Sequence, residues 1–214
     1  MTRILDLSME VFQGMTVFPG DPGVRIDIDR GFPDHEYQVS TICFGSHTGT
    51  HMDAPRHFLP DGATVSEIGL QSFAGEAICV KPGLRQSEGK TIIELSEAQR
   101  QGIFTDDRII FSTGWEQKAG TPEYFGDYPV FSDELIAFLL EKRPLLIGAD
   151  LPTLSGPGDP FHMHREFFQN RTVFVEGLVR TGELPEGRFF FSAAPLKIKN
   201  GDGSPVRAYA IVDG

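Results

Sequence analysis

The sequence is poor in cysteine, in basic charge and in long apolar runs, and each shortage removes a class of function. Its two cysteines, Cys43 (in TICFG) and Cys79 (in AICVK), stand far apart in apolar surroundings. That pattern suits buried thiols in a reducing compartment; it is neither a disulfide framework nor a zinc-thiolate cluster. Lysine and arginine number 19 against 30 aspartates and glutamates, a formal net charge of −11. A chain so acidic repels phosphate backbones and anionic headgroups, so nucleic acid and membrane surfaces are poor partners and a small molecule is the better expectation. Nowhere do about eighteen apolar residues run together, and the opening MTRILDLSMEVFQG has no basic region followed by an apolar stretch. The expected protein is soluble and cytoplasmic.

Internal repeats, low-complexity tracts and linkers are missing as well, so the 214 residues are read as one domain, 1–214, large enough for a sizeable core. Helical patterns are scarce. The best is SDELIAFLLEKR (132–143), with Ser132 to cap it, Asp133 and Glu134 suited to the dipole, and Leu135, Phe138 and Leu139 as one stripe before Pro144 stops it. Ser96 and Glu97 begin a shorter helix that ends before Gly102.

Short β-branched and aromatic runs dominate instead: AICVK (77–81), RIIFS (108–112), PLLIGAD (144–150), TVFVEGLV (172–179), RFFFSA (188–193) and VRAYAIV (206–212). They are nearly continuous rather than alternating, which predicts strands covered on both faces in a mixed α/β body. Residues 115–129 and 151–160 read as long irregular loops, of the kind that serve as lids or subunit contacts.

Against this background one stretch carries chemistry. HTGTHMDAPRH (47–57) holds three of the six histidines and an aspartate. In an ideal strand four residues span roughly 13 Å, too far for His47 and His51 to share a cation comfortably. In a helix Gly49 and Pro55 would be misplaced, and Asp53 and His57 would point away from the first two histidines. A loop curled at Gly49 is the workable form. Imidazole and carboxylate suit zinc, manganese or ferrous iron, and a carboxylate can bridge two cations. A fourth group is then left over, and a spare histidine such as His57 can accept and return a proton near neutral pH.

A second cluster lies at FHMHREFFQNRTVFVEGL (161–178). Glu176 interrupts an apolar run, where a carboxylate is rarely buried unless paired or bound to metal. His164 and Glu176 are candidate ligands for a second cation, bridged to the first by Asp53, while on a strand His162 would share a face with His164. A lone histidine is more often a satisfied polar residue than a ligand, and His35, in PDHEYQ, keeps that reading. Five of six in two clusters outweigh it for the rest. Asp150, ending PLLIGAD, either caps a loop or supports the site from behind its ligands.

At these residues the chain resembles the cyclase-like family of metal-dependent hydrolases, represented by bacterial kynurenine formamidase. The family signature His-x-Gly-Thr-His-x-Asp-x-Pro-x-His is matched at every fixed position by residues 47–57. LDLSMEVFQGMTVFPGDP, TGW (113–115), GAD (148–150), HREFF, VEGL, PLK and DGSPVRAYA follow the family's order along the whole chain.

The resemblance implies a swivelling β/β/α fold, strand-rich with few helices, usually a homodimer. It implies two divalent cations per chain, zinc or alternatively manganese, one held by His47, His51 and Asp53 and the other by Asp53, His164 and Glu176. The twelve-residue step from His164 to Glu176 agrees with the family and favours His164 over His162. His57 becomes the proton carrier in hydrolysis of an N-formyl arylamine such as N-formylkynurenine, within tryptophan degradation. Phe18 stands where kynurenine formamidases usually carry tryptophan, keeping a stacking ring but losing an N–H donor. Phe18 and Trp115 are the expected pocket walls, and a cyclic amide such as isatin is an alternative substrate. Two readings of other classes compete. A non-haem iron oxygenase using His51, Asp53 and His164 would leave His47, His57 and Glu176 without work, and a non-catalytic metal-binding module would have no need of His57.

Overall fold

A computed structural model describes residues 1–156 and 162–213. In chain order the strands are β1 (Thr2–Asp6), β2 (Arg25–Arg30), β3 (Val39–Cys43), β4 (His51–Asp53), β5 (Ala74–Val80), β6 (Gly83–Ser87), β7 (Lys90–Glu94), β8 (Arg108–Phe111), β9 (Val130–Phe131), β10 (Leu146–Ala149), β11 (Val173–Glu176), β12 (Gly187–Ser192), β13 (Gly203–Pro205) and β14 (Tyr209–Asp213). The helices are α1 (Leu70–Phe73), α2 (Glu97–Gln101), α3 (Asp133–Lys142) and α4 (His162–Gln169). This is the strand-rich α/β body the sequence predicts.

Nine strands form one sheet in the order β1-β14-β12-β5-β8-β10-β11-β4-β13. Its centre, β5, β8, β10 and β11, is parallel, and these are the continuous apolar runs of the sequence. Alternate residues supply two separate cores: Ala77, Cys79, Ile110, Val173 and Val175 pack on one side, Ile78, Val80, Ile109, Ile147 and Phe174 on the other. With both faces covered, no polar alternation is needed. The small sheets, the exposed β2-β3 and the half-buried β6-β7-β9, show no such run and were not legible in advance.

Both predicted helices are present with their caps. Ser132 Oγ accepts from the Leu135 amide at 3.2 Å, and Ser96 and Gln99 form a reciprocal capping box. One open alternative is decided and one expectation corrected. Residues 162–169 form α4, not the strand on which His162 and His164 would share a face, because Met163, His164, Phe167 and Phe168 recur at helical spacing and bury one face. His162 and His164 therefore part company: His162 is exposed and His164 buried. Cys79 is buried as expected, with its thiol pushed up to about 12 by that burial, but Cys43 is exposed on the β2-β3 hairpin, which neither core covers. The loop expected at 151–160 lies only partly within the described residues. No helix among those residues is long and apolar enough to cross a membrane.

The fold brings the two chemical clusters together at one edge of the parallel core. Strand β4 pairs antiparallel with β11, setting His51 opposite Glu176 and Asp53 opposite Phe174. On its other side β4 pairs with β13, where Gly203 faces Asp53.

Candidate active site

Gly49, at φ +63°, makes the predicted tight point, and the chain then enters β4 directly at His51. The turn is fixed from outside: Thr50 Oγ1 donates to the Gly177 carbonyl at 2.5 Å and accepts from the Met9 amide at 2.8 Å. Gly177, also at positive φ, sits so close that a Cβ there would lie 2.6 Å from the Gly49 carbonyl oxygen. Beyond β4, Pro55–His57 form a single 3-10 turn that carries His57 back over the site.

Asp53 is the centre of the arrangement. Its Oδ1 lies 2.7 Å from His47 Nδ1 and 3.3 Å from His51 Nε2. Its Oδ2 lies 3.3 Å from His164 Nε2, which in turn is 3.2 Å from Glu176 Oε1. The donor sets His47, His51, Asp53 and Asp53, His164, Glu176 each converge within 4.8 Å. Ligands bonded at about 2 Å in a tetrahedral array stand roughly 3.3 Å apart, so the 3.2 and 3.3 Å separations suit donors around a divalent cation, while His47 and Asp53 sit closer, at a hydrogen-bonded 2.7 Å.

The groups behind the donors agree with that use. His51 Nδ1 donates to the Gly49 carbonyl at 2.9 Å, and His164 Nδ1 meets Ser155 Oγ at 2.5 Å, leaving each Nε2 turned to the carboxylates. Glu176 Oε1 accepts from the Leu154 amide at 2.7 Å and from Thr153 Oγ1 at 3.1 Å. Two buried carboxylates thus face three imidazoles, a balance that requires either protons or cations. Burial alone would push the histidines down, but the facing carboxylates outweigh it and raise His47 to about 10 and His164 to about 9. Asp53 is buried too, yet His47 and His164 hold it well below the usual carboxylate range.

His57 is set apart from this pattern. Its ring stacks on His47 with centroids 3.9 Å apart, and burial holds it below its ordinary value. It is neutral near pH 7 and has an imidazole free to take a proton.

The site opens into a cavity of about 640 Å³, within the usual range for a small-molecule pocket. Met9, Met15, Phe18, Phe58, Tyr124 and Phe125 supply much of its wall. Phe18 is there as expected and meets Phe125 edge-on at 5.8 Å. Trp115 is not among the lining residues: its indole N–H donates to the Tyr124 carbonyl at 2.9 Å and Lys118 covers its ring, so it props the wall from behind. The 115–129 loop contributes Tyr124, Phe125 and Tyr128 to the cavity of its own chain. Asp150 takes the first of its two predicted roles, accepting from Thr113 Oγ1 and the Gly114 amide at 2.7 Å to cap that loop's start. His35 is exposed, away from the site. Asp202, which sequence reasoning did not single out, lies 3.0 Å from His47 Nε2.

The cyclase family's sequence profile matches residues 5–155, which contain the whole 47–57 run. The chain belongs to the cyclase family. It is 31% identical over 212 residues to a kynurenine formamidase of Erythrobacter litoralis, covering 96% of this chain and 92% of the relative. It is 29% identical over 206 residues to that of Bacillus mycoides, covering 95% of each. Among solved structures, isatin hydrolase A from Labrenzia aggregata superposes with a TM-score of 0.85 at 25% identity, covering all of this chain and 94% of the other.

Proposed function

We propose that the protein hydrolyses the carbon–nitrogen bond of a small aryl-linked amide, with N-formyl arylamines such as N-formylkynurenine as the first substrate class. The observation that carries this reading is His57 stacked beside a convergent set of cation donors, at the floor of an aromatic cavity. The kynurenine formamidase and isatin hydrolase relatives support the same bond type. The donor sets fit two divalent cations per chain, zinc or manganese, which when bound supply Lewis acidity toward water and toward a carbonyl oxygen. His47, His51, Asp53, His164 and Glu176 would hold them.

The chain's own groups do the rest. Phe18 and Phe125 offer ring edges and faces for an aryl group, placing its amide toward the histidines. Neutral His57 takes the proton from the attacking water and returns it to the departing nitrogen, so that amine and acid leave without a charged amide ion. Met9, Met15 and Phe58 keep bulk water from this exchange.

A second substrate reading, a cyclic amide such as isatin, is favoured by charge. Among the described residues lining the cavity, Glu10 and Asp21 are acidic at its outer part and no lysine or arginine is present. An amino-acid tail would find a partner for its ammonium group but none for its carboxylate, whereas a neutral ring needs neither. Comparing kcat/KM for N-formylkynurenine, N-formylaniline and isatin separates the two.

The decisive experiment for the chemistry is His57→Ala. Expected is a loss of about 10²- to 10⁴-fold in kcat with cation content retained. Unchanged turnover removes His57 from the mechanism. We also propose the cytoplasm as the compartment and a homodimer as the assembly. The exposed Ile28, Phe32, Val39 and Ile42 on or beside the β2-β3 hairpin support the homodimer, and sedimentation of the pure protein tests it.

A further inference from the structure

The carboxylate of Asp202 has no place in the two donor sets, yet it touches both kinds of histidine in the site. Its Oδ2 is 3.0 Å from His47 Nε2 and 3.6 Å from His57 Nδ1, and accepts from Ser46 Oγ at 3.3 Å. His47 turns its other nitrogen, Nδ1, to Asp53. Thus one ring nitrogen faces the cation donors and the opposite one is anchored by a carboxylate. His51 and His164 are anchored differently, by the neutral oxygens Gly49 O and Ser155 Oγ.

A neighbouring observation bears on the same ring. Gly203 has no left-handed φ to explain it, but a Cβ on it would lie 2.5 Å from His47 Cε1 and 2.9 Å from the Met52 carbonyl oxygen. The His47 ring occupies the space a side chain would take. Residue 202 is itself pinned, since the Ala54 amide donates to its carbonyl at 2.9 Å. The dipeptide is therefore held against the strand that carries Asp53, with one residue grasping the His47 ring and the next making room for it.

The geometry points to Asp202 as a positioning residue: together with Gly203 it fixes the orientation of His47 as a ligand and of the His57 ring stacked upon it. A carboxylate behind an imidazole ligand sets its tautomer and makes the ligating nitrogen a stronger donor, and loss of such a group typically costs 10- to 100-fold in metal affinity or activity. The Asp202 side chain is 45% exposed, so it serves no core and its removal leaves no buried hole. This inference rests on the reading of His47 as a cation ligand.

The test is titration of the cation-free chain with zinc against a chromophoric chelator, alongside kinetics. Expected for Asp202→Ala is zinc affinity weaker by about 10- to 100-fold at unchanged stoichiometry, with kcat lowered and KM nearly unchanged. Asp202→Asn keeps an oxygen acceptor and recovers part of the affinity. Gly203→Ala, which pushes on the His47 ring while leaving the carboxylate in place, weakens zinc binding too. Wild-type affinity in Asp202→Ala would overturn the inference while leaving the metal reading intact. Loss of one whole ion per chain would also overturn it, since His47, His57 and Asp202 also converge within 4.8 Å and Asp202 would then be a ligand. An unaltered chain that binds no zinc would overturn the metal reading and this inference with it.

Discussion

Asp53 presents one carboxylate oxygen to each half of the site, and the two halves differ in how they are enclosed and anchored. On the inner side His164 and Glu176 have side chains only 3% and 4% exposed, with Phe58, Phe168 and Phe174 around the imidazole. His164 Nδ1 meets Ser155 Oγ, Glu176 Oε1 also accepts from Thr153 Oγ1 and the Leu154 amide, and Glu176 Oε2 faces His51 Nε2 at 3.6 Å. On the outer side His47 is 14% exposed and His57 29%, and Asp202 stands at the edge of solvent. The inner half is dry, which suits holding a cation; the outer half sets His57, stacked on His47 and facing Asp202, within reach of water. The lesson is that two donor sets sharing one carboxylate can differ both in burial and in the partners behind their imidazoles.

The largest expected effect comes from removing what the halves share. Asp53→Ala should bring turnover to background and abolish binding at both donor sets, measured as zinc per chain. Retention of one tightly bound ion would show that the halves are independent. Next in size is Ser155→Ala, which strikes only the inner half by freeing His164 Nδ1. Zinc affinity at that half should weaken by about 10- to 100-fold, and turnover measured at saturating zinc should stay close to that of the unaltered chain.

The candidate ligand histidines of both halves should respond to pH alike, and His57 in the opposite sense. His164, raised to about 9, and His47, raised to about 10, stabilise the cation-free fold while protonated. That contribution is complete below about pH 6.5 and is lost as pH rises through those values. Cation binding must displace the same protons, so zinc affinity should climb over this range while the cation-free protein becomes easier to unfold. His57 is shifted the other way, so kcat/KM of the loaded enzyme should stay level down to about pH 6.5 and fall roughly tenfold per unit below its lowered value. Melting curves of the cation-free protein and pH-rate profiles of the loaded one check the opposite signs. The smallest effect is expected of Phe18→Trp, which touches neither half. It should shift kcat/KM by only a few fold, and differently for an aryl formamide and for isatin, because a wider ring with an N–H donor faces the same Phe125 edge.

How much of this could be read from sequence follows from how the parts are spaced. His47, His51, Asp53 and His57 fall in one short run, 47–57, so their types and the intervening Gly49 and Pro55 announced both the chemistry and the curl. The central strands were legible because two-sided burial leaves unbroken apolar runs. His164 was preferred to His162 through the twelve-residue step to Glu176 that the resemblance implies; the physical reason, the helical spacing of Met163, His164, Phe167 and Phe168, went unread. Asp202 is 155 residues from His47 in sequence; it opens the DGSPVRAYA run that the family resemblance picks out, but that run assigns it no role, and the pairing of β13 with β4 makes it a neighbour. The aromatic wall was half seen: Phe18 reaches the cavity, while Trp115 is turned away because the Tyr124 carbonyl claims its only donor.

The pairing of β4 with β11 has a consequence for how the chain reaches this state. Asp53 and His164 are 111 residues apart, so a cation held between them closes a chain loop of that length and acts as a cross-link. Its grip exists only after the long-range closure has been made, and ligand binding of this kind adds its own free energy to folding. With the donor sets loaded as proposed, cation supply bears on persistence as well as on catalysis. A chain stripped of cations should not merely idle but open more often at the seam between β4 and β11, which amide hydrogen exchange at Val175 and Glu176 would register.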